Sequence, residues 1–250
     1  MESGSGPPAR ALRAWTPLSR ALAVTGDHWT LSIAVALAPG KMRLTHLHKC
    51  LPGISTGVLE RGLQQMVAVG LLTRTRFKEM PPRVELELTD AGRELLPVAA
   101  ALARWGMRHV WSAPREHEQA DVDVLLRLLP ALTGAAGLPD GNIQALVTDA
   151  DPPIGYCYRI EAGRLRIDPD PDGATVAAPE PPISDERDAA HGRAATPHHV
   201  SAEIRGSSDA WIAALGPAGD HSRLQLIGDV PLARAVLAGL PGPTGQGLSQ

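Results

Sequence analysis

Two cysteines in 250 residues, Cys50 and Cys157, fall in different halves of the chain and make no metal-ligand spacing. A disulfide scaffold and a cysteine-based zinc site are therefore excluded. A run of about 18 apolar residues is also missing, and Met1 to Arg10 holds no apolar signal segment. These absences predict a soluble, cytoplasmic chain with no membrane span. Catalytic patterns are lacking too. His191, His198, His199 and His221 do not show the i,i+4 spacing of a zinc-protease helix. Asp168, Asp170 and Asp172 resemble the opening of a calcium loop, but Pro169 and Pro171 intervene and Pro179 stands where the closing Glu belongs. No Ser-His-Asp set, phosphate loop or dinucleotide fingerprint is present. The expectation is a protein that is not an enzyme, with no catalytic residue, metal site or cofactor.

What is present is an uneven charge distribution. Residues 1–118 hold 15 Lys+Arg against 10 Asp+Glu, whereas residues 119–250 hold 9 against 17. Such asymmetry predicts two domains, one of which meets a polyanion. The positive charge is densest from Lys41 to Arg83, where eight cations face only Glu60 and Glu79.

Hydrophobic spacing divides the first half into short elements. Leu18, Leu22 and Val24–Thr25 predict a short helix, and the apolar run Trp29–Ala38 a helix buried on every side. Pro39-Gly40 stops it. Leu44, Leu47 and Leu51 recur at helical spacing up to Pro52-Gly53. Ser55 is placed to cap a third helix, with Leu59, Leu63 and Met66 as its core stripe. Its opposite side carries Glu60, Arg61, Gln64 and Gln65, groups suited to base edges and phosphates. Leu71–Phe77 and Val84–Leu88 then alternate as two strands of a hairpin lined by Arg74, Arg76, Lys78 and Arg83. A long helix from Asp90 to His109 follows, with Pro97 inside it and more apolar surface than one small domain covers.

Three helices, a two-stranded wing and a terminal helix make a winged helix-turn-helix, and here the chain resembles the HxlR family, a branch of the MarR-like regulators. The resemblance rests on Gly26–Leu31, Arg43–Leu47, Leu51–Ser55, Val58-Leu59, Gly70–Arg74, Met80–Glu85 and Leu88–Leu95, in unbroken order. It implies that Ser55 to Val69 is the recognition helix, that Phe77–Val84 is the wing, and that Arg43 holds backbone phosphate. The DNA-binding set so expected is Arg43, Ser55, Thr56, Glu60, Arg61, Gln64, Gln65, Arg74, Arg76, Lys78 and Arg83. It also implies a homodimer joined by its first and last helices, acting on a double-stranded operator with an inverted repeat. Two departures stand out. Thr16, before Pro17, occupies the position where many relatives carry a sensing Cys, and Gly57 and Gly62 replace better helix formers.

Beyond a linker at 111–120, an amphipathic helix at Asp121–Thr133 precedes strands at Ile143–Thr148, Ile154–Ile160 and Arg164–Ile167. Glu161-Ala162-Gly163 forms a hairpin-like turn, and residues 168–197 form a long loop. A strand at Val200–Arg205, a helix at Asp209–Leu215, a strand at Arg223–Ile227 and a helix at Pro231–Leu240 complete the order. Ala162–Ile167, Ile204–Leu215 and Leu224–Leu240 resemble the sterol carrier protein type 2 fold. That resemblance implies a sheet backed by helices around an apolar tunnel. The expected walls are Ile143, Leu146, Ile154, Tyr156, Tyr158, Trp211, Leu215, Leu224 and Leu226, and the expected occupant is a small apolar effector. The alternative is a second domain that only stabilises the dimer. The whole reads as an α+β chain: a leader at 1–14, the winged helix-turn-helix at 15–110, the linker, a sterol-carrier-like α/β domain at 121–241, and a tail at 242–250.

Overall fold

The computed structural model describes residues 15–77, 83–112, 121–133, 137–151, 153–168 and 200–240. The expected leader, Lys78, most of the linker, the loop beyond Asp168 with its histidines, and the tail lie outside the described residues.

The chain enters α1 (Pro17–Thr25) through a reciprocal cap. The Ser19 amide donates to the Thr16 hydroxyl, and the Thr16 amide donates to the Ser19 hydroxyl. Asp27 then sets the start of α2 (Thr30–Ala36), accepting from the Trp29 and Thr30 amides at 2.7 and 2.8 Å and from the Thr30 hydroxyl. Burial alone would raise this carboxyl, but those hydrogen bonds outweigh it and hold it below its ordinary range. Ile33, Ala34, Val35 and Ala36 are all buried, as the apolar run predicts.

Arg43 closes a short strand, β1 (Met42–Arg43), that sequence periodicity does not reveal, and it is also the N-cap of α3 (Leu44–Lys49). Ser55 caps α4 (Thr56–Ala68) by accepting from the Val58 amide. The stripe Leu59, Leu63 and Met66 is buried. β2 (Leu72–Phe77) and β3 (Arg83–Leu88) pair antiparallel from Leu72↔Leu88 to Phe77↔Arg83, and β1 lies on the other side of β3.

The single helix expected from Asp90 to His109 is two, α5 (Asp90–Arg93) and α6 (Leu95–His109), separated at Glu94. Pro97 cannot donate to the Arg93 carbonyl and its ring crowds that oxygen, so the break falls about one turn upstream of the proline.

In the second half, α7 (Val122–Leu132) is followed by β4 (Gly141–Val147), β5 (Ile154–Glu161) and β6 (Arg164–Ile167). Then come β7 (Ala202–Gly206), α8 (Ser208–Leu215), β8 (Gln225–Gly228) and α9 (Val230–Ala238). The sheet order is β6-β5-β4-β7-β8, with β4 and β7 parallel and the other neighbours antiparallel. The β5–β6 turn is a two-residue loop in which Ala162 and Gly163 both have positive φ, 51° and 74°. That is the backbone a tight hairpin with right-handed strand twist requires.

The two halves share a buried seam. Val35 of α2 and Ala99 and Ala100 of α6 belong to the same apolar core as Leu126, Leu129, Tyr158 and Trp211, while Leu47, Leu59, Leu63 and Leu86 form the core of the first half. Arg127 crosses this seam at only 5% exposure. It pairs with Asp123 at 2.8 Å, donates to the Ala36 carbonyl and to Cys50 Sγ at 3.3 Å, and lies over the Tyr156 ring. Tyr156 in turn donates its hydroxyl to Asp123. A buried cation tolerates removal from water only with such a full set of partners.

Candidate nucleic-acid interface

The buried stripe of α4 fixes which side faces outward. Thr56, Gly57, Arg61, Gln64 and Gln65 are exposed, with Glu60 half-buried beside them. The Ser55 hydroxyl is spent on its cap, so Ser55 sets the entry of the helix. Arg61 lies back along the helix, its Nε donating to the Gly57 carbonyl at 3.2 Å, which leaves its other guanidinium nitrogens outward.

Glu60 and Arg74, both expected at DNA, are paired with one another. Arg74 Nη1 and Nη2 donate to the two Glu60 carboxylate oxygens at 2.8 and 3.2 Å. The hydrogen bonds from Arg74, resisted only in part by burial, keep the Glu60 carboxyl below its ordinary range. This two-pronged pair ties the wing to α4 and sets the angle between them. Arg76 on β2 and Arg43 on β1 are exposed and make no ion pair among the described residues. The main chain of Arg83 opens β3, and Lys78 lies outside the described residues.

Lys49, exposed at the end of α3, adds a cation outside the expected DNA-binding set. Its signal was the concentration of cations between residues 41 and 83, of which Lys49 is one. Cys50, beside it, donates no chemistry. Burial pushes its thiol up against the opposing pull of Arg127, which makes it a poor thiolate.

The nine residues expected to wall an apolar tunnel lie in the interior of the second half. Ile143, Leu146, Tyr158, Trp211, Leu215 and Leu224 are buried, and Ile154, Tyr156 and Leu226 pack partly buried against them. Trp211 Nε1 donates to the Leu146 carbonyl at 3.0 Å, and the Tyr158 hydroxyl to the Leu126 carbonyl at 2.9 Å. Two openings lie outside this set: a groove at the seam between the halves, and a hollow of about 280 Å³ between Trp111 and α8.

Residues 24–113 match the family described as HxlR-like helix-turn-helix. An uncharacterized HTH-type transcriptional regulator of Methanothermobacter thermautotrophicus is 35% identical over 81 residues, covering 32% of this chain and 62% of its own length. The HTH-type transcriptional regulator YtcD of Bacillus subtilis, also uncharacterized, is 34% identical over 89 residues, covering 36% of this chain and 71% of its own. A solved chain from Porphyromonas gingivalis W83, assigned to the MarR family of transcriptional regulators, is 30% identical. It covers 39% of this chain and 99% of its own, with a TM-score of 0.37.

Proposed function

The chain belongs to the HxlR-like helix-turn-helix family, and from that premise we propose that it is a sequence-specific DNA-binding transcription regulator. It acts as a homodimeric repressor whose DNA binding answers to a small molecule. The observation that carries this reading is the outward face of α4. A capped helix, held by three buried side chains and braced to the wing through Glu60–Arg74, presents Thr56, Arg61, Gln64 and Gln65 between the exposed cations Arg43 and Arg76. Such a face can donate to base edges while flanking cations hold phosphates.

A second copy of the chain is supported by two exposed apolar stripes. Trp15, Leu18 and Leu22 form one on and before α1, and Val98, Leu102 and Trp105 form the other on α6, at i, i+4 and i+7. The remaining face of α6 is already used, since Ala99 and Ala100 pack into the second half. Trp211 and Tyr158, buried and each hydrogen-bonded to a backbone carbonyl, favour a module acting through its surface and its seat on α6 over a lipid tunnel.

Selection of duplexes from a random pool, followed by footprinting, tests the reading. The recovered site should be an inverted repeat with half-site centres roughly 10 bp apart, because two recognition helices must enter successive major grooves on one face. Arg76→Ala should weaken all sequences alike and lower the salt slope by about one. Gln64→Ala should relax preference at particular base pairs, at roughly 1–3 kcal/mol. A direct repeat, or equal losses on selected and random DNA for both variants, would remove the recognition helix from its role.

A further inference from the structure

The seam between the halves opens into a groove of about 1240 Å³. Small-molecule sites usually measure roughly 300–1,000 Å³ and occur preferentially between domains. An outer strand of each sheet lines the groove, β1 from the first and β6 from the second. Consecutive residues of both strands border it, as happens where a strand edge faces an opening. Leu96, Pro130 and Leu165 give it apolar surface.

Charge is distributed unevenly around it. Among the lining side chains, Glu87 is held by Lys41 and Arg93, and Glu161 and Asp168 are held by Arg159. Glu85 and Asp90 border the wall formed by β3 and α5. Three cations remain without an ion pair among the described residues: Arg43 of β1, Lys49 of α3 and Arg166 of β6. They come from both halves. A groove of this size, with apolar patches and cations not paired among the described residues, suits a molecule that brings both an apolar body and a negative group.

We propose that this groove, and not the interior of the second half, is the effector site, and that it takes an organic anion with an apolar body in competition with DNA. The proposal rests on the DNA-binding reading above and names its effector class. Arg43 and Lys49 stand on the helix-turn-helix side of the groove, so an anion bound there draws on the same positive charge that would hold phosphate. Linkage makes the effect mutual: whatever factor the anion takes from DNA affinity, DNA takes from anion affinity.

Anilinonaphthalene sulfonate, an apolar anion that fluoresces when removed from water, is the probe. It is titrated into the full-length protein and into Arg166→Glu, with and without a duplex selected by the wild-type protein, and DNA binding is followed by gel shift. Arg166 is exposed, so its reversal leaves the fold in place, which circular dichroism checks. Arg166→Glu should weaken dye binding roughly tenfold or more, as loss of one charge-assisted hydrogen bond implies. The dye should lower DNA affinity in the wild type and not in the variant, and DNA should displace the dye. Dye binding unchanged by Arg166→Glu would overturn the proposal, because the dye would then sit elsewhere, for example on the exposed stripe of α6. So would Arg166-dependent dye binding that leaves DNA affinity untouched. A tenfold loss of DNA binding in Arg166→Glu without dye would mean that the groove holds flanking DNA, which also overturns it. Should no duplex be selected while dye binding still depends on Arg166, the DNA-binding reading fails and the groove stands as an anion site.

Discussion

Glu60 and Arg74 lie 14 residues apart and meet across α4 and β2 with both prongs of each group engaged. Taken singly, each looks like a group offered to DNA; taken together, they neutralise one another and brace the wing. Because the pair holds the Glu60 carboxyl below its ordinary value near 4.5, the stabilisation it supplies has a definite pH window. It is fully present above that value and is lost as the pH falls through the lower folded value. Glu60→Gln should therefore cost about 1 kcal/mol in urea unfolding at pH 7, a partly exposed two-pronged pair being worth about that much. The gap between wild type and variant should narrow as the pH falls below 4.5 and close once it has passed the lower folded value. A gap that stays constant with pH would show that the pair contributes nothing through its charge.

Two glycines in α4 differ in what surrounds them. A methyl group at Gly57 would meet nothing within 4 Å, whereas one at Gly62 would meet Ile33 Cδ1 at 3.4 Å. Gly62 thus marks where α4 approaches α2, and Gly57 carries only the entropic cost of a flexible residue in a helix. Gly57→Ala should raise stability by roughly 0.5–1 kcal/mol, and Gly62→Ala should gain less because Ile33 must yield. Equal gains in thermal unfolding would refute the packing account of Gly62. Elsewhere, Gly92 of α5 lies so close to the Leu71 carbonyl that a methyl group would stand 2.2 Å from its oxygen. The Thr89 hydroxyl accepts from the Gly92 amide and donates to the Gly70 carbonyl. These contacts give physical content to the stretch Leu88–Leu95, which sequence resemblance alone treats as a pattern.

At the scale of the molecule, α6 is the element on which everything converges. One face enters the core of the second half through Ala99 and Ala100, and the other leaves Leu102 56% exposed with Val98 and Trp105 beside it. A contiguous apolar stripe on an otherwise polar surface marks a contact with another chain. A two-fold contact repeats each substitution on both sides of the interface. If the proposed homodimer forms through this stripe, Leu102→Asp should give a monomer in sedimentation and sharply reduce affinity for an inverted repeat, with the circular dichroism spectrum unchanged. A variant that stays dimeric would move the interface elsewhere. The second half is seated on the same helix, and Arg127 of α7 ties it to the end of α2 at Ala36 and to Cys50 just beyond α3.

Much of the architecture is legible in the sequence because it depends on neighbours along the chain. The 3.6-residue spacing of Leu59, Leu63 and Met66 states which side of α4 is buried, Ser55 states where that helix begins, and Ala162-Gly163 states where two strands turn. Periodicity reports that a face is covered and leaves open what covers it. Nothing local to Arg127 predicts its hydrogen bonds to Ala36 and Cys50, 91 and 77 residues away. Nothing in the spacing of Tyr158 and Trp211 tells a packed core from the wall of a tunnel, because apolar residues alternate in the same way around both. That choice belongs to how side-chain volumes meet across elements distant in sequence. The same holds for the groove, whose charge pattern exists only because β1 and β6 both come to line one opening.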